Sequence, residues 1–318
     1  MQRLDHFMAQ ANATYYAQRD FAADFATAPE ITQVFGEILG LWAAVTWQQM
    51  GSPSRFVLAE AGPGRGTLMA DALRAAGRVP GFAAAAALHL VETSPRLRAL
   101  QAQRLDATWH DRIEDLPGGP LILLANEFLD ALPIRQFVRR AQGWTERFVA
   151  GSTFTEQPAE APARTAAEGE IVEVGEAAQA IARHLGARLA AEGGAALFHD
   201  YGPAESAPGD SLQALRDGAQ ADPLAEPGAA DLTAHVDFQA FAQAAPCAVH
   251  GPVPQGKFLI GLGLFQRSFA LARTLPPREG AALVEAAKRL AEPDQMGRLF
   301  KAIALCHPAL PTPAGFEA

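Results

Sequence analysis

The amino-acid sequence predicts an α/β fold built on a mostly parallel, doubly wound sheet. Three observations lead to this class. Apolar runs alternate with helical periodicity between residues 56 and 202, a glycine-rich turn joins the first run to a helix, and polar side chains follow several runs. Strands that alternate with helices form parallel sheets, because a helical crossover returns the chain to the same end of the sheet. Any ligand is therefore expected at the carboxyl ends of the strands.

The elements of this core can be placed in chain order. Apolar strands are expected at 56–61, 87–92, 121–125 and 196–202, with a short strand at 108–110 and a hairpin over 134–149. Helical periodicity is present at 67–76, 94–104 and 173–191. The segment 152–168 is rich in Pro, Ala, Thr and Glu and is expected to be an exposed loop.

The chain is expected to have two parts. Residues 1–50 are predicted to form an N-terminal helical arm and lid, since apolar residues recur at helical spacing over 31–42. An aromatic segment over 15–25 stands in front of that helix, and Tyr15, Tyr16 and the helix start over 27–33 are expected to cover the ligand cleft. Residues 51–318 are predicted to form the ligand-binding α/β domain. It carries a surface insertion near 203–232, rich in Pro and Gly, and a helical C-terminal tail.

Composition and charge argue against several classes of function. The formal net charge is -9 and no basic run is present, which disfavours nucleic acid as a partner. The two cysteines, Cys247 and Cys306, have neither metal-ligand nor disulfide spacing, so we expect no metal and a reducing compartment. No apolar stretch has the length of a membrane span, and the first residues lack the apolar core of a signal peptide. These features predict a cytoplasmic protein without membrane insertion and leave the oligomeric state open.

The glycine-rich turn is the first candidate binding element. Residues 60–66 have the pattern E-x-G-x-G-x-G, and glycine lets backbone N–H groups approach a ligand because no Cβ stands in the way. A dinucleotide-binding turn has the spacing G-x-G-x-x-G, and Thr67 stands where its third glycine would be. Glu92 ends the second strand, where an acidic residue can hold ribose hydroxyls. The alternatives are a ligand-free turn and a solvated strand end. The candidate cofactor-binding residues are Glu60, Gly62, Gly64, Gly66, Thr67, Glu92 and Asn126.

A polar cluster after the strand at 121–125 is the second candidate element. Asn126, Glu127 and Asp130 follow five consecutive apolar residues. Two carboxylates at this spacing can accept a guanidinium or an ammonium group through charge-assisted hydrogen bonds. We therefore predict that these three residues form the catalytic, substrate-binding end of the site. The alternative is a helix-start cap and turn.

Several longer strings resemble the MidA family. They are Thr-Ala-Pro-Glu-Ile-Thr-Gln-Val-Phe-Gly-Glu (27–37), Glu-Ala-Gly-Pro-Gly-Arg-Gly-Thr-Leu-Met (60–69), Val-Glu-Thr-Ser-Pro-Arg-Leu-Arg (91–98), Asn-Glu-Phe-Leu-Asp-Ala-Leu-Pro (126–133), Asp-Tyr-Gly (200–202), Asp-Leu-Thr-Ala-His-Val-Asp-Phe (231–238) and Gln-Gly-x-Phe-Leu (255–259). The resemblance implies a Rossmann-like class I methyltransferase that uses S-adenosyl-L-methionine (SAM). In that family the glycine loop holds the amino-acid end of SAM, so no pyrophosphate has to be bound.

The resemblance also implies a substrate. The family includes a mitochondrial complex I assembly-factor methyltransferase, which implies an arginine on a complex I (NADH dehydrogenase) subunit or a similar protein as the methyl acceptor. Two other functions remain open. One is an NAD(P)-dependent oxidoreductase on a similar sheet, which the glycine spacing disfavours. The other is a non-catalytic assembly chaperone that retains the methyltransferase fold.

Overall fold

The computed structural model describes residues 1–18 and 27–317, and its contacts divide the chain into two compact units. The small unit contains the described part of Met1–Ala26, together with Leu129–Ala182 and Gly202–Ala244. The large unit contains Thr27–Phe128, Arg183–Tyr201 and Ala245–Ala318. This division differs from the expected boundary near residue 50, because the helices that start at residue 28 pack with the strands of the large unit. Of the aromatic segment expected over 15–25, residues 19–25 lie outside the described part.

The secondary structure alternates between strands and helices through most of the large unit. The described helices are α1 (Leu4–Gln18), α2 (Ala28–Ile31), α3 (Gln33–Gln49), α4 (Thr67–Ala76), α5 (Phe82–Ala85), α6 (Pro95–Gln101), α7 (Glu176–Glu192), α8 (Phe238–Ala244), α9 (Gln255–Gly261), α10 (Leu264–Ala272), α11 (Pro277–Ala291) and α12 (Met296–Leu299). The described strands are β1 (Gln2–Arg3), β2 (Phe56–Ala61), β3 (Ala86–Val91), β4 (Thr108–His110), β5 (Leu121–Asn126), β6 (Arg135–Arg140), β7 (Gly143–Ala150), β8 (Thr153–Ala159), β9 (Ile171–Val174), β10 (Gly194–Tyr201), β11 (Gln213–Arg216), β12 (Ala219–Ala221), β13 (Asp231–Thr233), β14 (Ala248–Pro254) and β15 (Phe300–Cys306).

A seven-stranded sheet forms the centre of the large unit. Its order is β14-β15-β10-β5-β2-β3-β4. The pairs from β10 to β4 are parallel, and β15 is antiparallel to both of its neighbours. Strands β2 and β5 are buried along their whole length, as expected of strands covered on both faces. The predicted mostly parallel, doubly wound fold is therefore confirmed.

The strand order reverses direction between β2 and β5. From β2 the chain continues outward to β3 and β4, and it then returns to place β5 and β10 on the other side of β2. Ligands of open α/β sheets bind in the crevice outside the carboxyl ends of the strands at such a switch point. The glycine-rich turn follows β2 and the predicted polar cluster follows β5. The two elements therefore lie on opposite sides of the switch point.

Two glycines let helix α3 approach helix α4 closely. An ideal Cβ on Gly40 would lie 2.2 Å from the Ala72 carbonyl oxygen, and one on Gly36 would lie 2.8 Å from the Leu68 carbonyl oxygen. Between these glycines lies Glu37, which is buried and forms ion pairs with arginines of α4 and α10. The helix predicted over 31–42 is confirmed, but Thr32 separates a short helix, α2, from the long helix α3. Helix α3 starts at Gln33 because the Thr32 hydroxyl caps it by accepting from Val34 N (3.2 Å).

The small unit contains an antiparallel sheet and a smaller three-stranded sheet. Strands β1, β7, β6 and β9 lie side by side and β8 pairs with β7. The predicted hairpin over 134–149 is confirmed as β6 and β7. The exposed loop expected over 152–168 is wrong for its first half, because β8 pairs with β7 along its whole length. The expected insertion near 203–232 carries β11, β12 and most of β13, whose apolar residues pack against α1.

The C-terminal part of the large unit is helical only in part. Helices α9 to α12 form as expected, but residues 300–306 then form β15, which is inserted between β10 and β14. The reason is hydrophobic: Ala302, Ile303, Ala304 and Leu305 are fully buried in succession, a pattern typical of a strand covered on both faces. None of the described helices is both long and apolar enough to cross a membrane.

A glycine substitution tests the pairing of β5 with β10. Gly194 has a φ of +114°, and an ideal Cβ there would lie 1.8 Å from the Leu121 carbonyl oxygen. We expect Gly194→Ala to lower the free energy of unfolding by at least about 4 kcal/mol. Gly193→Ala is the control, since its φ is +89° but nothing lies within 4 Å of its Cβ, and it should cost only about 1–2 kcal/mol. Equal losses in urea unfolding would contradict the close-approach explanation.

Candidate functional site

The turn after β2 requires glycine for conformational reasons. Gly62, Gly64 and Gly66 have φ values of +66°, +54° and +77°, a region that side chains with a Cβ rarely adopt. Gly62 N donates to the carbonyl oxygen of Val91 (3.1 Å), which extends the β2–β3 pairing into the turn. An ideal Cβ on Gly62 would also lie 3.1 Å from the ring of Phe128. The turn is therefore fixed in position between β2 and α4.

Glu60 precedes this turn and is almost completely buried. Only 2% of the residue is exposed, and burial raises the pKa of its carboxyl group to about 8, although a hydrogen bond from the Met69 backbone opposes this shift. Its Oε2 atom is buried and has no hydrogen-bond partner among the described residues. Glu60 therefore presents an unsatisfied acceptor directly beside the glycine turn.

Glu92 follows β3 and is also buried. Its Oε1 atom accepts from Ser94 N (2.8 Å), and Arg98 Nε donates to its backbone carbonyl (2.6 Å). Burial raises the pKa of this carboxyl group, and the hydrogen bond from Ser94 acts in the opposite direction. Glu92 N donates to His110 O (3.0 Å), so the carboxylate is held at the end of the β3–β4 pair. The solvated strand end considered from the sequence is wrong for this residue.

Gln101 connects Glu92 with the glycine turn and was not among the residues predicted from the sequence. Its Nε2 atom donates to Gly64 O (2.8 Å) and lies 3.4 Å from Glu92 Oε2, while its Oε1 atom accepts from Trp109 Nε1 (2.7 Å). Gln101 is fully buried at the end of α6. It stands four residues after the buried Leu97, so helical spacing was the signal that could have placed it on the buried face.

The hydroxyl group of Thr67 is engaged away from the turn. It donates to Glu30 Oε1 (2.6 Å) and accepts from Arg104 Nη1 (3.0 Å). The predicted contact between Thr67 and the cofactor therefore stays a prediction. The group that would make this contact is the backbone N–H of Thr67, in the first turn of α4.

A strained turn follows β5. Glu127 has a φ of +49°, which for a residue with a side chain costs roughly 1–2 kcal/mol. Its backbone N–H donates to His199 O (2.8 Å), and its Oε1 atom accepts from Asn126 Nδ2 (2.9 Å) and from Ala28 N (3.3 Å). Asn126 is 8% exposed, and its Oδ1 atom is buried without a hydrogen-bond partner in the described part of the chain. A strained backbone held by several bonds is typical of functional sites.

Asp130 belongs to the small unit, whereas Asn126 and Glu127 belong to the large one. Asp130 is 5% exposed, and its carbonyl oxygen accepts from Ala234 N (3.0 Å). In the same unit, Tyr16 Oη donates to Asp231 Oδ1 (2.8 Å). Burial, followed by the charges of Asp231 and Asp130, raises the pKa of the Tyr16 phenol well above its usual range. Both aspartates therefore lie near the same phenol.

The large unit thus brings together most of the predicted site residues at one edge of its sheet. A model of S-adenosyl-L-methionine-dependent methyltransferases matches residues 38–253, which is more than half of the chain. The chain belongs to this family. The matched region includes β2, β3 and β5 together with the turns that follow them.

Curated relatives and a solved structure agree with this family. The chain is 34% identical to "Protein arginine methyltransferase NDUFAF7, mitochondrial" of Danio rerio, over 90% of this chain and 78% of the relative. It is 34% identical to the Homo sapiens protein of the same name, over 92% and 76%. The crystal structure of a Burkholderia thailandensis protein bound to S-adenosyl-homocysteine covers 99% of this chain and 88% of its own, with a TM-score of 0.78 and 25% identity.

These comparisons confirm the predicted enzyme class and its cofactor, SAM. They also correct one expectation. The cytoplasmic location predicted from the composition and the first residues is wrong, because the curated relatives are named as mitochondrial proteins. Cysteine usage and net charge do not distinguish between reducing compartments, so composition contained no signal for this difference.

The chemistry of the site fits SAM. Two buried acceptor atoms, Glu60 Oε2 and Asn126 Oδ1, have no partner in the described chain, and SAM carries an ammonium group, ribose hydroxyls and an adenine amine that can donate hydrogen bonds. SAM also carries a sulfonium cation, which buried carboxyl groups favour. The described residues contain no group of three or more His, Cys, Asp or Glu side chains placed to hold a metal ion.

Substitution of Gln101 tests the connection between the glycine turn and Glu92. Gln101→Met keeps the volume of the side chain and removes its hydrogen bonds to Gly64 and Trp109. We expect the dissociation constant of SAM to rise by roughly 5- to 10-fold, as for the loss of about one hydrogen bond. Isothermal titration calorimetry measures this, with Gln103→Met as the control, because Gln103 is exposed on the same segment. Unchanged affinity in a folded Gln101→Met protein would contradict this role.

The buried Glu60 carboxyl group predicts a pH dependence of stability. Its pKa is about 8 in the folded protein and about 4.5 in the unfolded chain, so the folded state retains a proton between these values. Its stabilising contribution is complete below pH 4.5 and is lost as the pH rises through 8. We expect Glu60→Gln to gain stability relative to the wild type between pH 5 and 8, by at most about 1.4 kcal/mol per pH unit.

Urea unfolding of the cofactor-free protein at several pH values measures this gain. Glu168→Gln is the control, because Glu168 is exposed and its substitution should leave the pH dependence as in the wild type. Parallel curves for the wild type and Glu60→Gln would contradict the proposed burial of a protonated carboxyl group.

Proposed function

We propose that this methyltransferase acts on arginine side chains of a protein substrate. Two findings support the proposal. The curated relatives that match nine-tenths of the chain are named protein arginine methyltransferases. In addition, Glu127 follows β5, the strand that pairs with β2 and so lies next to the glycine turn. Its side chain is a carboxylate, and a carboxylate is the partner that a guanidinium group prefers. The position of Glu127 beside this turn is the observation that carries the proposal.

The cofactor part of the proposal assigns SAM to the edge formed by β2 and β3. Backbone groups of Gly62, Gly64 and Gly66 would hold its methionine part, because glycine allows the closest approach. Glu60 and Asn126 would accept hydrogen bonds through their unsatisfied oxygens. Glu92 would accept from the ribose hydroxyls, as an acidic residue at the end of a second strand does in nucleotide-binding folds.

The catalytic part of the proposal assigns the acceptor nitrogen to Glu127. When bound, SAM would supply a methyl group on a sulfonium: the N–C bond would form as the C–S bond breaks, leaving S-adenosyl-homocysteine, and the acceptor nitrogen would lose one proton to solvent. The protein then has to position the guanidinium and offset the repulsion between two cations. Glu127 can do both, since its Oε1 atom is already fixed by Asn126 Nδ2 and Ala28 N. Asp130 was predicted as a second carboxylate of the site, and this role stays a prediction.

The substrate protein follows from the family resemblance. A complex I subunit is the first candidate to test, and the family-level finding of a methyltransferase does not depend on it. The oxidoreductase alternative loses its support, since the family and the bound S-adenosyl-homocysteine of the Burkholderia thailandensis protein both point to methyl transfer. Incubation with isotopically labelled SAM and a lysate, followed by mass spectrometry, identifies the methylated protein and atom. Label on lysine or on a small molecule alone would contradict the arginine proposal, and absence of label with intact SAM binding would favour the chaperone alternative.

Glu127→Gln tests the catalytic assignment directly. The substitution keeps the shape of the side chain and removes its charge, so we expect SAM affinity to change little and turnover to fall by roughly 10- to 100-fold. Glu285→Gln is a matched control, since Glu285 is exposed on α11 and forms an ion pair with the surface residue Lys288. A Glu127→Gln enzyme with wild-type turnover on the identified substrate would move the catalytic role to another residue.

A further inference from the structure

The turn that carries Glu127 depends on a residue outside the proposed catalytic group. Glu127 adopts a left-handed backbone conformation, and the next residue, Phe128, has a backbone N–H that needs a partner once β5 has ended. This partner is a side chain. Phe128 N donates to Asp200 Oδ2 (3.1 Å), and Asp200 lies at the carboxyl end of the neighbouring strand β10.

Asp200 holds two backbone groups at once. Its other carboxylate oxygen, Oδ1, accepts from Tyr201 N (2.9 Å). Asp200 is 1% exposed, and water therefore cannot readily replace it as the acceptor. The adjacent His199 supplies its carbonyl oxygen to Glu127 N (2.8 Å). Two consecutive residues of β10 therefore fix two consecutive N–H groups of the strained turn, one through a carbonyl and one through a carboxylate.

The same turn contacts the glycine-rich segment. The Phe128 ring lies 3.1 Å from the position of a Cβ on Gly62, so the ring packs against the backbone of the segment proposed to hold SAM. A shift of Phe128 would move the Glu127 carboxylate relative to the glycine turn. A displacement of about 1 Å at a reacting centre is enough to lower a rate by roughly a hundredfold.

We propose that Asp200 is a positioning residue for methyl transfer. It holds the Asn126–Phe128 turn in place by accepting a hydrogen bond from the backbone N–H of Phe128. This inference rests on the proposed role of Glu127. Asp200 acts through the backbone and contacts neither substrate nor cofactor in this role. The role requires both carboxylate oxygens, because each accepts a different N–H group. An amide has one acceptor oxygen and one NH2 group, and the latter would face an N–H donor.

Asp200→Asn is the first test of the proposal, because it changes one acceptor into a donor at constant volume. We expect kcat to fall by about tenfold, corresponding to the loss of one charge-assisted hydrogen bond, while the dissociation constant of SAM changes by less than about threefold. Asp222→Asn is the matched control, since Asp222 also accepts a backbone N–H (Leu224 N, 2.9 Å) but lies in the small unit on an exposed segment. Wild-type turnover of Asp200→Asn would overturn the proposal.

A double-mutant cycle distinguishes positioning from a general structural effect. If Asp200 acts through Glu127, then Asp200→Asn in a Glu127→Gln background should lower kcat by less than about threefold further. Fully additive losses would overturn the positioning role while leaving the proposed function intact. Wild-type turnover of Glu127→Gln alone would instead contradict the catalytic assignment.

A second cycle tests the lock without any measurement of activity. Glycine adopts left-handed conformations without a steric penalty, so a Glu127→Gly turn needs less restraint. We expect Asp200→Asn to lower the melting temperature by roughly 3 °C in the wild type and by about half of that in Glu127→Gly. Equal decreases in both backgrounds would show that Asp200 does not restrain residue 127, whatever the catalytic role of Glu127 proves to be.

Discussion

Parallel pairing of β5 with β2 on one side and with β10 on the other is the constraint on which the site depends. The β2–β3 and β5–β10 pairings continue past the strand ends, through Gly62 N to Val91 O and through Glu127 N to His199 O. The turns are therefore placed by the same ladders that build the sheet. Because all these strands run in one direction, every functional turn emerges at the same edge. The hydrogen bonds of the sheet thus position the turns of the site, and no independent folding of the loops is needed.

Electrostatics gives this edge a preference for cations. Glu60 and Glu92 are buried carboxyl groups, and burial raises the pKa of each. A ligand with a positive centre would relieve the cost of ionising them, whereas a pyrophosphate would add to it. The glycine turn alone could serve either kind of cofactor, so in the proposed site the neighbouring carboxyl groups would supply the discrimination between them. This physical reason agrees with the family assignment and not with a dinucleotide.

The sequence was sufficient to predict the parallel core and the residues that end its strands, because both depend on local patterns. Apolar runs bounded by glycine or polar residues placed β2, β3 and β5, and strand direction then placed Glu92 and Asn126. Residues that act through long-range bonds were not accessible in the same way. Gln101 contacts the glycine turn through Gly64, a partner 37 positions away. Strand β8 was missed because its composition resembles a loop and only its pairing with β7 makes it a strand. Likewise, residue 50 was a poor boundary because packing, not composition, unites α3 with the sheet.

The position of β15 has a consequence for how the protein is made. This strand lies between β10 and β14, so β14 has no neighbour in the sheet until residues 300–306 have been synthesised. A nascent chain that already contains the glycine turn, Glu92 and Glu127 would still expose the apolar edge of β10. At this edge Leu197 and Phe198 are not yet paired with β15. Pairing across about a hundred residues is slow, and an open strand edge invites aggregation. Until β15 has formed, the unpaired edge of β10 is therefore a site at which the partly folded chain can aggregate.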